Sequence, residues 1–494
     1  MSENSSTYRQ AFKATGIFGL VQVFQVLIIL VKGKFVAVLL GAAGLGVNSL
    51  YFSALMMILQ FTGLGLQVSA LRNISQAAES NDESHINTTV AVFNRWLMFS
   101  SFLGAVILLV FAPQLSQVTF GDNAHIMGFR LLSLSVFFYT FNTGNITLLQ
   151  GTRKLGYVAK ASLSGSVTGL AVSIPLYYFY GVEGIVPALL LSSMAAFLVS
   201  SYFVRKLKIG RIRLTLLESF RQGYGMVVLG LTMMVASLLG TIVIYSINAF
   251  INHFGQVSDV GYYQAGMSIT NMAVGAVFTA MASDYFPRLS AVCDDESKVN
   301  LLANEQCEII TLITFPLLIF LILSSPLLLP LLLSPEFSGL SGFIKLSAFG
   351  MFFKAASFSF GYISFAKGDK KTFFLLEGVL GNFLILGGNI IGYRLGGIEG
   401  MAVSFIVIYL IYFVVVNFVV RRLYNFKLHT VFIKIFLISL VLTGSAAFYS
   451  YFRTGIDGFV ITGLIFSGSV WYALVQLNKR IGLRQLLAIA LKRS

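Results

Sequence analysis

Lys354 interrupts the apolar stretch FGMFFKAASFSFGYISFAKGDK, residues 349–370, and the next charge downstream is Lys367. An ammonium group inside such a stretch is costly in a low-dielectric surrounding and marks a functional candidate. Its chemistry is electrostatic, since it offers a unit charge and three hydrogen-bond donors to an anion. Gln25, Lys32 and Lys34 punctuate a second apolar run near the start of the chain. Lys32 and Lys34 are two apart, so a helix separates them by about 200° and they cannot face one cavity. Arg130 lies nearer the end of its own apolar run, where it can bind an anion or anchor the helix at an interface. Asp284 and Arg288 are four apart and share one helical face, which suits either a gate or a simple intrahelical ion pair. Arg72 closes the corresponding apolar segment of the first half. Glu377 is the available counter-charge for Lys354, which therefore has two readings: a ligand for an anionic head group, or half of a structural ion pair.

The elements that hold these residues follow from composition. Of 494 residues, 57% are hydrophobic and 11% charged. Mean hydropathy is +0.84. A soluble domain averages about 25% charged residues, so this composition predicts a polytopic membrane protein. We find fourteen apolar segments, each about 20 residues or longer, enough to cross a bilayer. At about 1.5 Å per residue, Lys354 falls about 20 Å from either end of its span, too deep to snorkel easily. The formal net charge is +15. Most of the basic residues fall on one side of the predicted topology, which puts both termini in the cytoplasm. That pattern accounts for the charge without nucleic acid.

The sequence also repeats. GVEG at 181–184 and GIEG at 397–400 are offset by 216 and fall between equivalent pairs of segments. QGTRKLGY at 150–157 and KGDKKTFF at 367–374 follow the same offset to within one residue, as do Arg72 and Arg288. Each repeat holds six helices, an even number, so the copies share one orientation about a pseudo-two-fold axis along the membrane normal. The expected organisation is an N-terminal lobe over 1–204 and a cytoplasmic amphipathic helical linker over 205–222. A C-terminal lobe follows over 223–422, then two further helices over 423–478 and a basic amphipathic tail over 479–494.

Several stretches together resemble one family. GKFVAVLLGAAGLGVNSLYF at 33–52, DYFPRLSAV at 284–292, FKAASFSFGYISFAKGDKKTFFLLEG at 353–378 and YRLGGIEGMAVSF at 393–405 are similar to Wzx-type polysaccharide flippases of the multidrug/oligosaccharidyl-lipid/polysaccharide exporter superfamily. The resemblance implies an all-α, MATE-like fold of two six-helix lobes. It implies transport of undecaprenyl-diphosphate-linked oligosaccharide, such as an O-antigen or common-antigen repeat unit, from the cytoplasmic to the periplasmic leaflet by alternating access. It also implies a location in the bacterial cytoplasmic membrane, other polysaccharide-assembly proteins as partners, and a cationic cavity. Lys34, Lys354, Lys32, Arg130 and Gln25 are its candidate lining, with Asp284, Arg288, Glu377 and Arg72 as candidate gating or coupling residues.

Two other functions compete. A multidrug exporter of the same fold binds cations and needs buried carboxylates in the first lobe, yet residues 14–70 contain neither Asp nor Glu. A membrane-embedded polymerase or glycosyltransferase usually places its catalytic groups in large loops, and the outward loops here are short. No P-loop or nucleophile–base pattern occurs, and the four histidines are scattered. No cofactor and no ATP are expected, which leaves an ion gradient or the membrane potential to drive transport.

Overall fold

Glycine decides where the long helices of this chain break. The computed structural model describes residues 2–80, 82–207, 209–210, 212, 214–453 and 455–481, with side chains described from residue 24 onward except at 236, 280, 282, 283 and 481. Fifteen α-helices follow in order: α1 Ser2–Thr62, α2 Leu66–Glu79, α3 Glu83–Val110, α4 Ala112–Phe120, α5 Ile126–Gly151, α6 Leu155–Tyr180, α7 Ile185–Arg205, α8 Leu216–Phe254, α9 Val257–Ala291, α10 Glu296–Leu332, α11 Ser341–Ala366, α12 Lys370–Phe373, α13 Gly381–Tyr424, α14 Thr430–Phe452 and α15 Ile456–Ile481. A π-helical turn, Phe374–Leu380, joins α12 to α13. No strand occurs among the described residues.

The packing is that of helices in lipid. Large apolar side chains such as Phe102, Phe179, Phe383, Leu395 and Trp471 point outward, while Ser69, Ser101, Thr270, Asn304, Ser359 and Thr443 are fully buried. Hydroxyls inside and aromatics outside suit a hydrocarbon solvent, where small residues and short side-chain hydrogen bonds join helices. Among the described residues nine helical segments are long and apolar enough to cross a membrane, ten with the bent pair Val257–Thr279 and Asp284–Ala291. This is a multi-pass membrane protein. Two of the nine, Leu155–Arg205 and Lys370–Tyr424, hold 51 and 55 residues. At 1.5 Å per residue each would exceed about 75 Å, more than twice the hydrocarbon core, so neither is a single crossing.

Both are helical hairpins, and they turn in the same way. Gly181 has φ 55° and ψ −132°. Gly397, 216 residues on, has φ 57° and ψ −141°. A residue with a Cβ rarely adopts this backbone. The last glycine of each motif is fixed by a close approach. A Cβ on Gly184 would lie 2.3 Å from the carbonyl oxygen of Leu176, and one on Gly400 would lie 2.1 Å from that of Gly392. Leu176 and Gly392 are again 216 apart. The connection before each hairpin also repeats. Arg153 and Gly368 both have positive φ. The amides that follow them bond back in matching pairs, Lys154 to Leu149 and Asp369 to Ser364, closing two Schellman motifs. The duplication inferred from GVEG and GIEG is therefore written in the backbone.

Where the structure differs from the expected elements, glycine and capping explain it. The first two spans are not joined by a loop. A single non-helical residue, Gly41 with φ 67°, kinks α1. Among its described residues the linker over 205–222 is not one continuous amphipathic helix. α7 ends at Arg205, the described residues of 206–215 form a turn and irregular chain, and α8 begins only at Leu216. Its start is a capping box. The amide of Glu218 donates to the Thr215 hydroxyl at 3.3 Å, and the amide of Thr215 donates to the Glu218 carboxylate at 2.9 Å. These bonds hold the Glu218 carboxyl below its ordinary value. Its stabilising effect is present above the ordinary carboxylate range and fades as pH falls through the lowered one. Thr215→Ala is expected to lower amide-exchange protection factors at 216–219, and acidification is expected to lower the same protection factors, taken relative to the intrinsic rates at each pH, in the unaltered chain.

The chain divides into two compact units, Met1–Gly261 with Leu332–Ser334, and Tyr262–Leu331 with Pro335–Ser494. α8, expected to open the second lobe, packs within the first unit against α1, α2, α3 and α4. A Cβ on Gly65 would lie 2.0 Å from the carbonyl oxygen of Gly230, Trp96 packs on Phe220, and Tyr245 shares a 2.7 Å hydrogen bond with Thr119. In the second unit, α14 and α15 are packed onto the bundle. Phe436 stacks on Phe413, and Arg480 of α15 pairs with Glu308 of α10 at 2.5 Å. Of the expected tail, residues 482–494 lie outside the described residues.

Candidate functional site

Lys354 and Glu377 line one cavity of about 440 Å³ within the second unit. α11 contributes Lys354, Ser357 and Tyr362, and the π-helical turn contributes Glu377. The second arm of the α13 hairpin contributes Tyr409 and Tyr412. π-turns cost regular hydrogen bonding and often accompany functional sites. Gly361 faces the carboxylate, since a Cβ there would lie 3.4 Å from Glu377 Oε1. The Tyr412 hydroxyl donates to Glu377 Oε1. Lys354 Nζ sits 5.2 Å from the centroid of the Tyr409 ring. Among the described residues it has no carboxylate oxygen within 4 Å, so Lys354 and Glu377 share a cavity without forming an ion pair. The site thus offers an ammonium held by a π-face, a carboxylate held by a phenol, and aromatic walls. Such a set suits an anion attached to a ring-bearing molecule.

Gln25 and Lys32 line a different cavity, of about 310 Å³, within the first unit. They are seven apart on one face of α1, opposite Asn142 of α5 and Ser162, Ser166 and Ser192 of α6 and α7. Lys34, about 200° from Lys32 around the helix, lines neither cavity. Arg130 is exposed in the first turn of α5 and lines neither cavity. Arg72 is exposed on α2.

Asp284 and Arg288 form the expected i,i+4 ion pair at 2.6 Å, with their side chains 67% and 50% exposed. An exposed helical pair contributes about 0.3–0.5 kcal/mol. Asp284→Asn is therefore expected to leave thermal stability nearly unchanged. A loss of transport at unchanged stability would assign the pair to gating or coupling, and unchanged transport would leave it an ordinary surface pair. Tyr51 and Tyr285 are buried and committed to bonds within the bundle. Tyr51 bonds His125 at 2.8 Å and Tyr285 donates to the Ser359 carbonyl at 2.9 Å.

Two cations, one buried and one half-buried, were not singled out from sequence. Lys345 is 4% exposed and donates to the Ser450 carbonyl at 2.5 Å. Arg480, which reads as part of the basic tail, pairs with Glu308 inside the second unit. No spacing links either residue to its partner, which is more than a hundred residues away. The residues of the first-unit cavity other than Gln25 and Lys32 were also missed, although the 216-residue offset locates them.

Comparisons with known proteins follow the geometry. Residues 35–341 match the family described as "Polysaccharide biosynthesis protein". No curated protein sequence matches the chain. Among solved structures, the lipid II flippase MurJ in an inward closed conformation is similar with a TM-score of 0.72 at 14% identity, over 94% of this chain and 98% of that one. An inward-facing multidrug resistance MATE family transporter of the MOP superfamily is similar at 0.66 and 18% identity, over 81% and 96%. A mutant of the Vibrio cholerae MATE transporter VcmN is similar at 0.57 and 14% identity, over 85% and 99%. At these identities the shared property is the fold. With more than half of its length matched by the family signature, the chain belongs to the polysaccharide biosynthesis protein family and has the fold of MurJ and the MATE transporters.

Proposed function

We propose that this protein is a flippase that moves undecaprenyl-diphosphate-linked oligosaccharide from the cytoplasmic to the periplasmic leaflet of the bacterial cytoplasmic membrane by alternating access. The observation that carries this reading is the ammonium of Lys354, set among tyrosines in a cavity of a membrane-spanning unit and without an ion-pair partner among the described residues. A diphosphate carries charge through a low-dielectric region, and a fixed cation lowers that cost. Tyrosine faces suit sugar rings. The family match adds polysaccharide biosynthesis as the setting, and the likeness to MurJ, a lipid II flippase by its title, adds a lipid-linked cargo by analogy.

In this reading no ATP is used. A charge moving through the membrane potential exchanges about 2.3 kcal/mol per 100 mV, and we assign coupling to an ion to Glu377 and Asp284. The cation-exporting alternative draws on one observation, the Glu377 carboxylate in the same cavity as Lys354.

Complementation separates the two. A flippase-deficient strain supplied with this protein and a defined O-antigen or common-antigen repeat unit is expected to regain surface glycan with at least one repeat type. No restoration with any of them, together with gained efflux of cationic dyes, would replace the flippase reading with the exporter one.

A further inference from the structure

The two cavities are copies of one another. Adding 216 to Asn142, Ser166 and Ser192 of the first-unit cavity gives Phe358, Asn382 and Ile408, which line the second. Adding it to Ile146, Ala161 and Ala196 gives Tyr362, Glu377 and Tyr412, which line the second as well. The matching hairpin turns of the two units show that this offset is structural and not only numerical.

The copies have diverged in chemistry. In the second, the repeat positions carry a carboxylate and two phenols, and Lys354 is added where the first unit has Phe138. In the first, those positions are Ala161, Ile146 and Ala196, and the polar groups are amides and hydroxyls. α1 adds Gln25 and Lys32. The Ser166 and Ser192 hydroxyls donate to carbonyls of their own helices at 2.9 and 3.2 Å, which leaves their oxygens able to accept. Among the described residues no side-chain hydrogen bond or ion pair is made by Gln25, Lys32 or Asn142. Hydrocarbon in this space would leave those groups unsatisfied. A small cation finds no carboxylate there. A molecule rich in hydroxyls satisfies amide, hydroxyl and ammonium together.

We propose that the first-unit cavity is a binding site for sugar residues of the cargo, read through hydroxyls by Asn142, Ser162, Ser166, Ser192 and Gln25 with Lys32 as an ammonium donor. The charged part of the cargo meets Lys354 in the second-unit cavity. The inference rests on the lipid-linked oligosaccharide reading and assigns different parts of that cargo to the two repeat copies.

Binding of two probes to the full-length protein in nanodiscs tests it. One is undecaprenyl diphosphate, and the other is undecaprenyl diphosphate carrying a neutral disaccharide. Asn142→Leu combined with Ser192→Ala is expected to weaken the sugar-bearing probe about tenfold and to leave the sugar-free probe unchanged, as expected for two lost neutral hydrogen bonds. Ser192→Ala alone, which deletes a single oxygen and keeps the fold, is expected to weaken the sugar-bearing probe a few-fold. Lys354→Ala is expected to weaken both probes. Equal loss of both probes in the Asn142 and Ser192 variants, or no loss of either, would overturn the sugar site while leaving the flippase reading standing. Failure of the unaltered protein to bind either probe would overturn the flippase reading, and the sugar site with it.

Discussion

Lys354→Ala is expected to slow transport of lipid-linked oligosaccharide by roughly 10- to 100-fold, while Lys354→Arg keeps a substantial part of it. A hydrogen bond to a charged group contributes about 1.5–3 kcal/mol, which sets that range. The fold should hardly notice. Lys354 is half-buried, has no carboxylate within 4 Å among the described residues and rests against the Tyr409 ring, a contact of about 0.5–1 kcal/mol. Its removal leaves no buried charge orphaned, in contrast to breaking a tight ion pair such as Arg480–Glu308. Arginine keeps the charge and its place over the ring, but its planar fork donates in different directions, hence partial and not full recovery. Rates compared at matched protein level, with thermal melts alongside, separate the two roles. A large drop in melting temperature with proportionate loss of protein would make Lys354 structural, and an unimpaired rate for Lys354→Ala would remove it from the cargo path.

Gly400→Ala and Gly184→Ala are expected to destabilise their units by similar amounts, each by about 3 kcal/mol. The methyl group would sit 2.1 Å from a carbonyl oxygen at Gly400 and 2.3 Å at Gly184, and in both cases the atom in the way is backbone eight residues earlier. Backbone at a hairpin neck cannot swing aside as a side chain can. In the second unit the same neck brings the arm bearing Tyr409 and Tyr412 against the arm continuing from Glu377, so Gly400→Ala should also disturb the cavity. Gly387→Ala is the control. It lies in the same helix with nothing within 4 Å of an added Cβ, and alanine is the better helix former by about 1 kcal/mol. Thermal melting of the three variants in detergent should order Gly387→Ala at or above the unaltered protein and the other two well below it. Equal melting temperatures would mean that the hairpin necks are not close-packed.

Much of this was legible before any coordinates. The scarcity of charge made each ionisable residue in an apolar run conspicuous, and that scarcity led to Lys354 and Glu377. The GVEG and GIEG motifs were legible for a related reason, because glycine is needed where a backbone turns with positive φ or passes close to another, and both motifs do both. The kink at Gly41 was harder. GAAGLG reads equally well as a loop or as the crowded start of a helix, and only packing decides. The linker before α8 deceived by composition, since alternating basic and apolar residues suggest a surface helix, whereas the Thr215 cap starts the helix later. The first-unit cavity was the least visible. Apart from Lys32 its wall is serine, glycine, alanine, amide and a few aliphatic side chains, the vocabulary of any tight helix contact in a membrane. Only its kinship to the Lys354 cavity distinguishes it.

Transfer of a fluorescent undecaprenyl-diphosphate-linked oligosaccharide across proteoliposomes that contain only this protein tests the central claim most directly. With the unaltered chain, label in the inner leaflet should become accessible to an external membrane-impermeant quencher far faster than in protein-free vesicles, and Lys354→Ala should slow that transfer by roughly 10- to 100-fold. Transfer no faster than in empty vesicles, under an imposed ion gradient and membrane potential of either sign, would contradict the account.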